Sequence, residues 1–202
     1  RGNITSFINF IGKFTDLKYL RLPMWFTDQD LSQLKQQDNF ARLKRLDLNG
    51  CYQLTNLPDS LPKSLEEIDI GGCTRLTNAE LQKLCTLPAL KRLDLSGCDQ
   101  LTTLPDPLPK SLEEINIGGC VGLSNTELQK LCTLPALKKL NLSHCDQLTT
   151  LPDSLPKSLE EINIGGCTEL TNTELQKLFT LPALKRLNLS DCKQLTTLPD
   201  SL

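Results

Sequence analysis

Leucine and isoleucine return along this chain in a fixed figure, L-x-x-[LI]-x-[LI]-x-x-C-x-x-L, which reads LKRLDLNGCYQL at Leu43 and LEEIDIGGCTRL at Leu65. Within it Leu46 and Leu48 alternate with Arg45, Asp47 and Asn49, the period-two pattern of a short strand with one buried face. The opening phrase recurs as LKRLDL at Leu90, LKKLNL at Leu137 and LKRLNL at Leu184. The period is therefore 47 residues, and 38 of 47 positions are identical between the first two full copies. Self-similarity of this kind predicts stacked units rather than ordinary globular domains.

Each period divides into a 22-residue module, Leu43 to Ser64, and a 25-residue module, Leu65 to Ala89. Both begin with the strand and differ in how the chain returns. In the long module Thr77-Asn78-Ala79-Glu80 has the T-x-x-E form of a helix capping box, followed by Leu81, Leu84 and Leu87 at about one-turn spacing. That predicts a helix of roughly two turns, ended by Leu87-Pro88 because proline lacks an N–H and pushes the residue before it out of helical geometry. In the short module Pro58 and Pro62 block a helix, so Leu57 to Ser64 is expected to cross as an extended or single-turn segment.

These motifs resemble a leucine-rich repeat protein, from about Leu17 to Leu202. The short module, with LTNLPDSLPKSL, resembles the LPX-type repeats of bacterial secreted effectors; the long one, with IGGCTRLTNAELQKL, resembles the cysteine-containing repeats of F-box proteins. The resemblance implies an α/β solenoid. It would be a curved, horseshoe-like, right-handed stack with a parallel concave sheet, and short helices alternating with extended convex segments. Residues 17–202 form one domain of eight modules, the last incomplete, preceded by residues 1–16 as a helical N-terminal cap or the end of a preceding repeat. Ile4, Phe7, Ile8, Phe10, Ile11 and Phe14 have helix-like spacing and are expected to cover the first strand's core, since the end module of a solenoid has no neighbour to bury its outer face. No such signal marks the other end, which leaves an edge open to pair with another chain.

Charge narrows the partners. Twenty-two basic and 24 acidic side chains leave a net charge of -2, with no basic footprint for nucleic acid or anionic lipid. No apolar run approaches the roughly 20 residues of a membrane span, so no membrane partner is expected. Nine cysteines are too regular and too odd in number for a disulfide framework: seven of them, from Cys51 to Cys192, are spaced alternately by 22 and 25 residues. They read as a structural column of free thiols pointing inward after each strand, which places the chain in a reducing, intracellular setting, or the host cytosol if it is a secreted effector. The chain starts at Arg1 and stops within a repeat, which suggests an excised fragment or processed product.

No catalytic, cofactor-binding or metal-binding residue is expected. His144 beside Ser143, Cys145 and Asp146 invites a nucleophilic reading, but adjacent strand residues point to opposite faces and the equivalents of His144 are Gly50, Gly97 and Asp191. Glu66-Glu67 recurs as Glu113-Glu114 and Glu160-Glu161 and alternates with Lys44-Arg45 and its copies, a ladder of cross-strand ion pairs rather than acid–base chemistry. The central concave column reads Arg21, Asp47, Asp69, Asp94 and then four asparagines, first of all a solvated polar face moderated by Arg45 and Arg92, with recruitment of a cation or a basic partner by Asp47, Asp69 and Asp94 as the alternative. Aromatic anchors are confined to the same end, where Tyr19, Arg21 and Trp25 precede Tyr52 of the next module's loop. The function expected is a non-catalytic protein–protein interaction scaffold, the recognition domain of a bacterial effector or intracellular adaptor. The alternative is a structural or self-assembling scaffold, natural or consensus-engineered, forming homo-oligomers through its uncapped ends.

Overall fold

The computed structural model describes residues 4–196. Eight three-residue strands, one per module, form a single parallel sheet in chain order: β1 Tyr19–Arg21, β2 Arg45–Asp47, β3 Glu67–Asp69, β4 Arg92–Asp94, β5 Glu114–Asn116, β6 Lys139–Asn141, β7 Glu161–Asn163 and β8 Arg186–Asn188. Register is unbroken, so that Leu20, Leu46, Ile68, Leu93, Ile115, Leu140, Ile162 and Leu187 lie side by side. One core runs the length of the stack beneath them, from Leu20 to Cys192. The inward leucines and isoleucines of β2 to β7 are at most 2 % exposed, whereas Leu187 of β8 is 44 % exposed.

The long modules return through a short α-helix that tightens into a 3-10 helix: α3 Asn78–Leu81 then Gln82–Thr86, α4 Asn125–Leu128 then Gln129–Thr133, and α5 Asn172–Leu175 then Gln176–Thr180. Each ends as expected before proline, with Leu87 extended at φ -97°, ψ 94°. Among the described residues the short modules have no helix or strand over 57–64, 104–111 or 151–158, as their prolines require.

The expected capping box at Thr77 does not form. Neither Thr77, Ser124 nor Thr171 makes a side-chain cap, because the glutamate three residues on turns to the preceding module instead. A capping box does close the irregular first module's helix α2, Asp28–Leu34: Thr27 Oγ1 accepts from Asp30 N–H and Asp30 Oδ2 accepts from Thr27 N–H.

At the N-terminal end α1, Ile4–Gly12, packs Ile8, with Ile4, Phe7 and Ile11 partly buried, against the core. Phe10 and Phe14, expected to join them, are 56 % and 45 % exposed and pair edge-to-face with each other. Asn39 fastens the end of α1 to the body: its buried Nδ2 donates to the carbonyls of Ile11 and Phe14 at 2.8 and 2.9 Å, adding to the Phe14 and Leu17 N–H groups those carbonyls already accept.

Candidate functional site: the concave face

The outward residues of the strands form aligned columns. In the first, Tyr19, Arg45, Glu67, Arg92, Glu114, Lys139, Glu161 and Arg186 are neighbours in register. Glu67 lies between Arg45 (3.0 Å) and Arg92 (3.2 Å), and Glu114 between Arg92 (3.4 Å) and Lys139 (2.7 Å). The Arg45 contact is an ion pair without hydrogen-bond alignment, since Arg45 Nε has no hydrogen-bond partner. Alongside, Glu66 takes Lys44 at 2.8 Å and Lys91 at 3.3 Å, and the two ammoniums hold its carboxyl below the usual range. The cationic side chains of both ladders are about half exposed, so each pair is worth under about 1 kcal/mol and serves register more than stability.

The central column proves to be built into the backbone. In every module from the second on, Oδ1 of its Asp or Asn accepts the N–H of the residue two further along. The bonds run from Asn49 to Asp47 (3.0 Å), Gly71 to Asp69 (2.9 Å), Ser96 to Asp94 (2.9 Å), Gly118 to Asn116 (3.0 Å), Ser143 to Asn141 (2.9 Å), Gly165 to Asn163 (3.0 Å) and Ser190 to Asn188 (3.0 Å). Only an oxygen is needed, which is why Asp and Asn interchange. The exposed column expected from the sequence is thus a turn device first. The signal was present in the pairing of each Asp or Asn with a Gly, Ser or Asn two residues later.

The residues singled out from the sequence fall into three groups. Tyr19, Arg21 and Asp47 come together: Tyr19 Oη donates to Asp47 Oδ2 at 3.1 Å, Arg21 Nε lies 3.7 Å from the same oxygen, and Arg45 stacks 4.7 Å above the Tyr19 ring. Asp47 itself is buried. Asp69 and Asp94 follow on the next two strands, with Asn49 Nδ2 donating to Asp69 and Asn116 Nδ2 to Asp94. Burial raises the Asp69 carboxyl above its ordinary range, and Asp94 and Asp47 add to this against the hydrogen bonds from Gly71 and Asn49. Trp25 sits with α1, edge-on to Phe7 at 6.4 Å and tilted on Phe26 at 5.8 Å. Tyr52 is half exposed, and among the described residues no ring contact or side-chain hydrogen bond joins it to Tyr19 or Trp25.

The cysteine column lies one step deeper. Cys73 Sγ donates to the Leu48 carbonyl at 3.2 Å, Cys98 to Ile70 at 3.2 Å, Cys120 to Leu95 at 3.0 Å, and the pattern continues to Cys192. Burial pushes Cys51 and Cys120 up to about 11 and Cys98 and Cys145 up to about 12, so the thiols stay protonated and act as donors. Before each cysteine the chain takes a left-handed turn, with φ of 71° at Gly50 and 61° at Gly97, and His144 holds the same geometry at 56°. Glycine accommodates this without strain and histidine does not. His144 is therefore an exposed turn residue, and among the described residues no group of three or more His, Cys, Asp or Glu side chains is placed to hold a metal ion.

On the convex side the long modules grip both neighbours, which was not foreseen. Glu80 Oε2 accepts the Leu57 N–H at 2.7 Å, and Lys83 Nζ donates to the Leu57 carbonyl and to Glu80, each at 2.7 Å. Glu127 with Lys130 does the same to Leu104, and Glu174 with Lys177 to Leu151. In the other direction Asn78 Oδ1 accepts from the backbone of Thr102 and its Nδ2 donates to Thr102 Oγ1.

A family model described as Leucine Rich Repeat matches residues 42–63, 89–110, 136–157 and 183–202, the four short modules. The chain is a leucine-rich repeat protein. Among solved structures this leucine-rich repeat chain is similar to one in the complex of Rad7 and Elc1 in yeast, at 18% identity and TM-score 0.66, covering 97% of this chain and 58% of that one. It thus spans little over half the length of that relative. Two further likenesses are weaker. The leucine-rich effector YopM of Yersinia pestis has 28% identity and TM-score 0.48, with 78% and 46% coverage of this chain and that one. The functional domain of InlJ from Listeria monocytogenes, which includes a cysteine ladder, has 18% identity and TM-score 0.41, with 94% and 52% coverage. No curated protein matches the sequence at a significant level. Among the described residues no helix is long and apolar enough to cross a membrane.

Proposed function

We propose that this protein is a non-catalytic protein-interaction scaffold whose concave sheet is the recognition surface, serving as the recognition part of an effector or adaptor. The observation that carries the reading is the set of seven consecutive Asx-type bonds that fix the central column's side chains, so the face is organised before any partner arrives. A surface fixed in advance loses little side-chain entropy on binding. The same fold occurs in the yeast Rad7–Elc1 complex, a protein assembly. The effector or adaptor assignment rests on the LPX-like short modules and the uniformly free thiols.

The contact residues we propose are Tyr19, Arg21, Asp69 and Asp94 on the concave face, with Asp47 holding Tyr19 and Arg21 from below. Trp25 and Tyr52 form a separate contact at the capped end. Arg92→Trp and Glu161→Trp place bulk at two points of the concave column without touching the core. Loss of a partner retained by the wild-type chain supports the concave reading, and retention by both variants refutes it. A second reading, association between copies through β8, is favoured by the exposure of Leu187; light scattering across concentration tests it, and a strict monomer removes it.

A further inference from the structure

The central column is polarised along the stack, and the backbone decides how. A backbone N–H can only donate, so the side-chain atom it meets at Asn141, Asn163 and Asn188 is the amide oxygen, and the NH2 group of each is left facing the groove. These three Nδ2 groups have no partner among the described residues; that of Asn116 is taken by Asp94. Strands in a parallel sheet lie about 4.8 Å apart, so the donors form a row spanning roughly 10 Å. At the other end the same column offers acceptors: Asp69 Oδ1 takes Gly71 and Asn49, and its Oδ2 is unpartnered.

The flanking ladders add no lean of their own: Lys138 and Lys139 pair with Glu113 and Glu114, and Lys185 and Arg186 with Glu160 and Glu161. The polarity is that of the central column, with free amide donors over β6 to β8 and carboxylates with a free acceptor over β3 and β4.

We infer that the concave face takes a protein segment in one orientation, its acidic residues on Asn141, Asn163 and Asn188 and a basic residue on Asp69 and Asp94. This rests on the concave reading above and adds the chemistry of the partner. Carboxylates match the row because each accepts several N–H donors, while the ladder cations Lys138, Lys139, Lys185 and Arg186 are already paired with glutamates. The glutamates interleaved with those cations, Glu160 and Glu161, work against a continuous phosphate backbone.

The natural Asp47, Asp69 and Asp94 supply the variant that tests this, since aspartate keeps the backbone acceptor while removing the donor. A random peptide display library is selected on the wild-type protein and on Asn141→Asp/Asn163→Asp/Asn188→Asp, whose thermal melts confirm folding. The wild-type pool is expected to be rich in Asp and Glu at one end and Lys or Arg at the other. The variant's pool loses the acidic end, and the best wild-type peptide binds the variant about tenfold or more weakly by fluorescence anisotropy, the worth of one charge-assisted hydrogen bond. Pools of the same composition, or a best peptide indifferent to the triple change, overturn the inference. If that peptide still loses affinity on Glu161→Trp, the concave reading stands and only the polarity fails; indifference to Glu161→Trp and Arg92→Trp removes both. Equal displacement by a single-stranded oligonucleotide overturns the inference in favour of a nucleic-acid ligand.

Discussion

Replacing Glu127 by alanine removes one convex clamp and leaves the core untouched. Its Oε2 accepts the Leu104 N–H and the Lys130 ammonium, both at 2.8 Å, and its side chain is 19 % exposed. A hydrogen bond between a backbone N–H and a carboxylate contributes about 1.5–3 kcal/mol net, and the part-buried i,i+3 ion pair with Lys130 adds roughly 0.5 kcal/mol. Lys130 keeps its bond to the Leu104 carbonyl, so at Leu104 the loss is confined to the N–H. The expected cost of Glu127→Ala is about 2–3 kcal/mol, and of Glu127→Gln about 1 kcal/mol, because the amide oxygen still accepts from Leu104. Urea unfolding gives the two values, and amide exchange at Leu104 shows whether the loss is local. Values for Ala and Gln agreeing within about 0.5 kcal/mol, or an unchanged exchange rate at Leu104, refute the clamp as the source.

Thiol titration of the native protein is expected to label Cys85 and Cys132, which are partly exposed, and the seven ladder cysteines only after denaturation; rapid reaction of a ladder thiol contradicts the buried donor role. His144→Gly relieves a left-handed φ of 56° and should stabilise by about 1 kcal/mol in the same urea assay. Asn39→Leu removes two hydrogen bonds, to carbonyls that each keep one backbone donor, and should cost about 1–3 kcal/mol, with a change in Trp25 fluorescence as Phe7 loosens. Burial alone would raise the Asp28 carboxyl, but hydrogen bonds from the side chains and backbone of Thr55 and Asn56 outweigh it and bring it below the ordinary value. Its stabilising contribution is therefore present above about pH 4 and lost as pH falls through the lowered folded value; Asp28→Asn should flatten that part of the stability profile.

The strands, the core and the two return paths were legible because they follow from where leucine, isoleucine and proline fall. Leu46 and Leu48 had to share a face, and Pro58 and Pro62 could not sit in a helix. The polar devices were not legible from one module at a time. Glu80 has the right spacing to cap its own helix, and that local bond competes with an N–H of the preceding module left open by the Leu57-Pro58 crossing; the tertiary partner wins. Similarly, the outward position of Asp69 was readable, but its bond to Gly71 depends on the backbone turning at the strand end, which alternation alone does not specify. At the concave face Arg21 and Asp47, read as neighbours in one column, lie on adjoining strands, while Trp25 packs against Phe7 of α1, a partner eighteen residues earlier in sequence.

Because each long module holds a short one on either side, by Glu80 and Lys83 backward and by Asn78 forward, a lone module has no compatible seat in the array. Deleting one would set two Lys-Arg strands against each other and orphan a Leu-Pro crossing, whereas deleting a long–short pair rejoins matching surfaces. The interfaces therefore allow this solenoid to be shortened or lengthened in whole 47-residue steps, and a variant lacking one long–short pair is expected to fold where one lacking a single module is not.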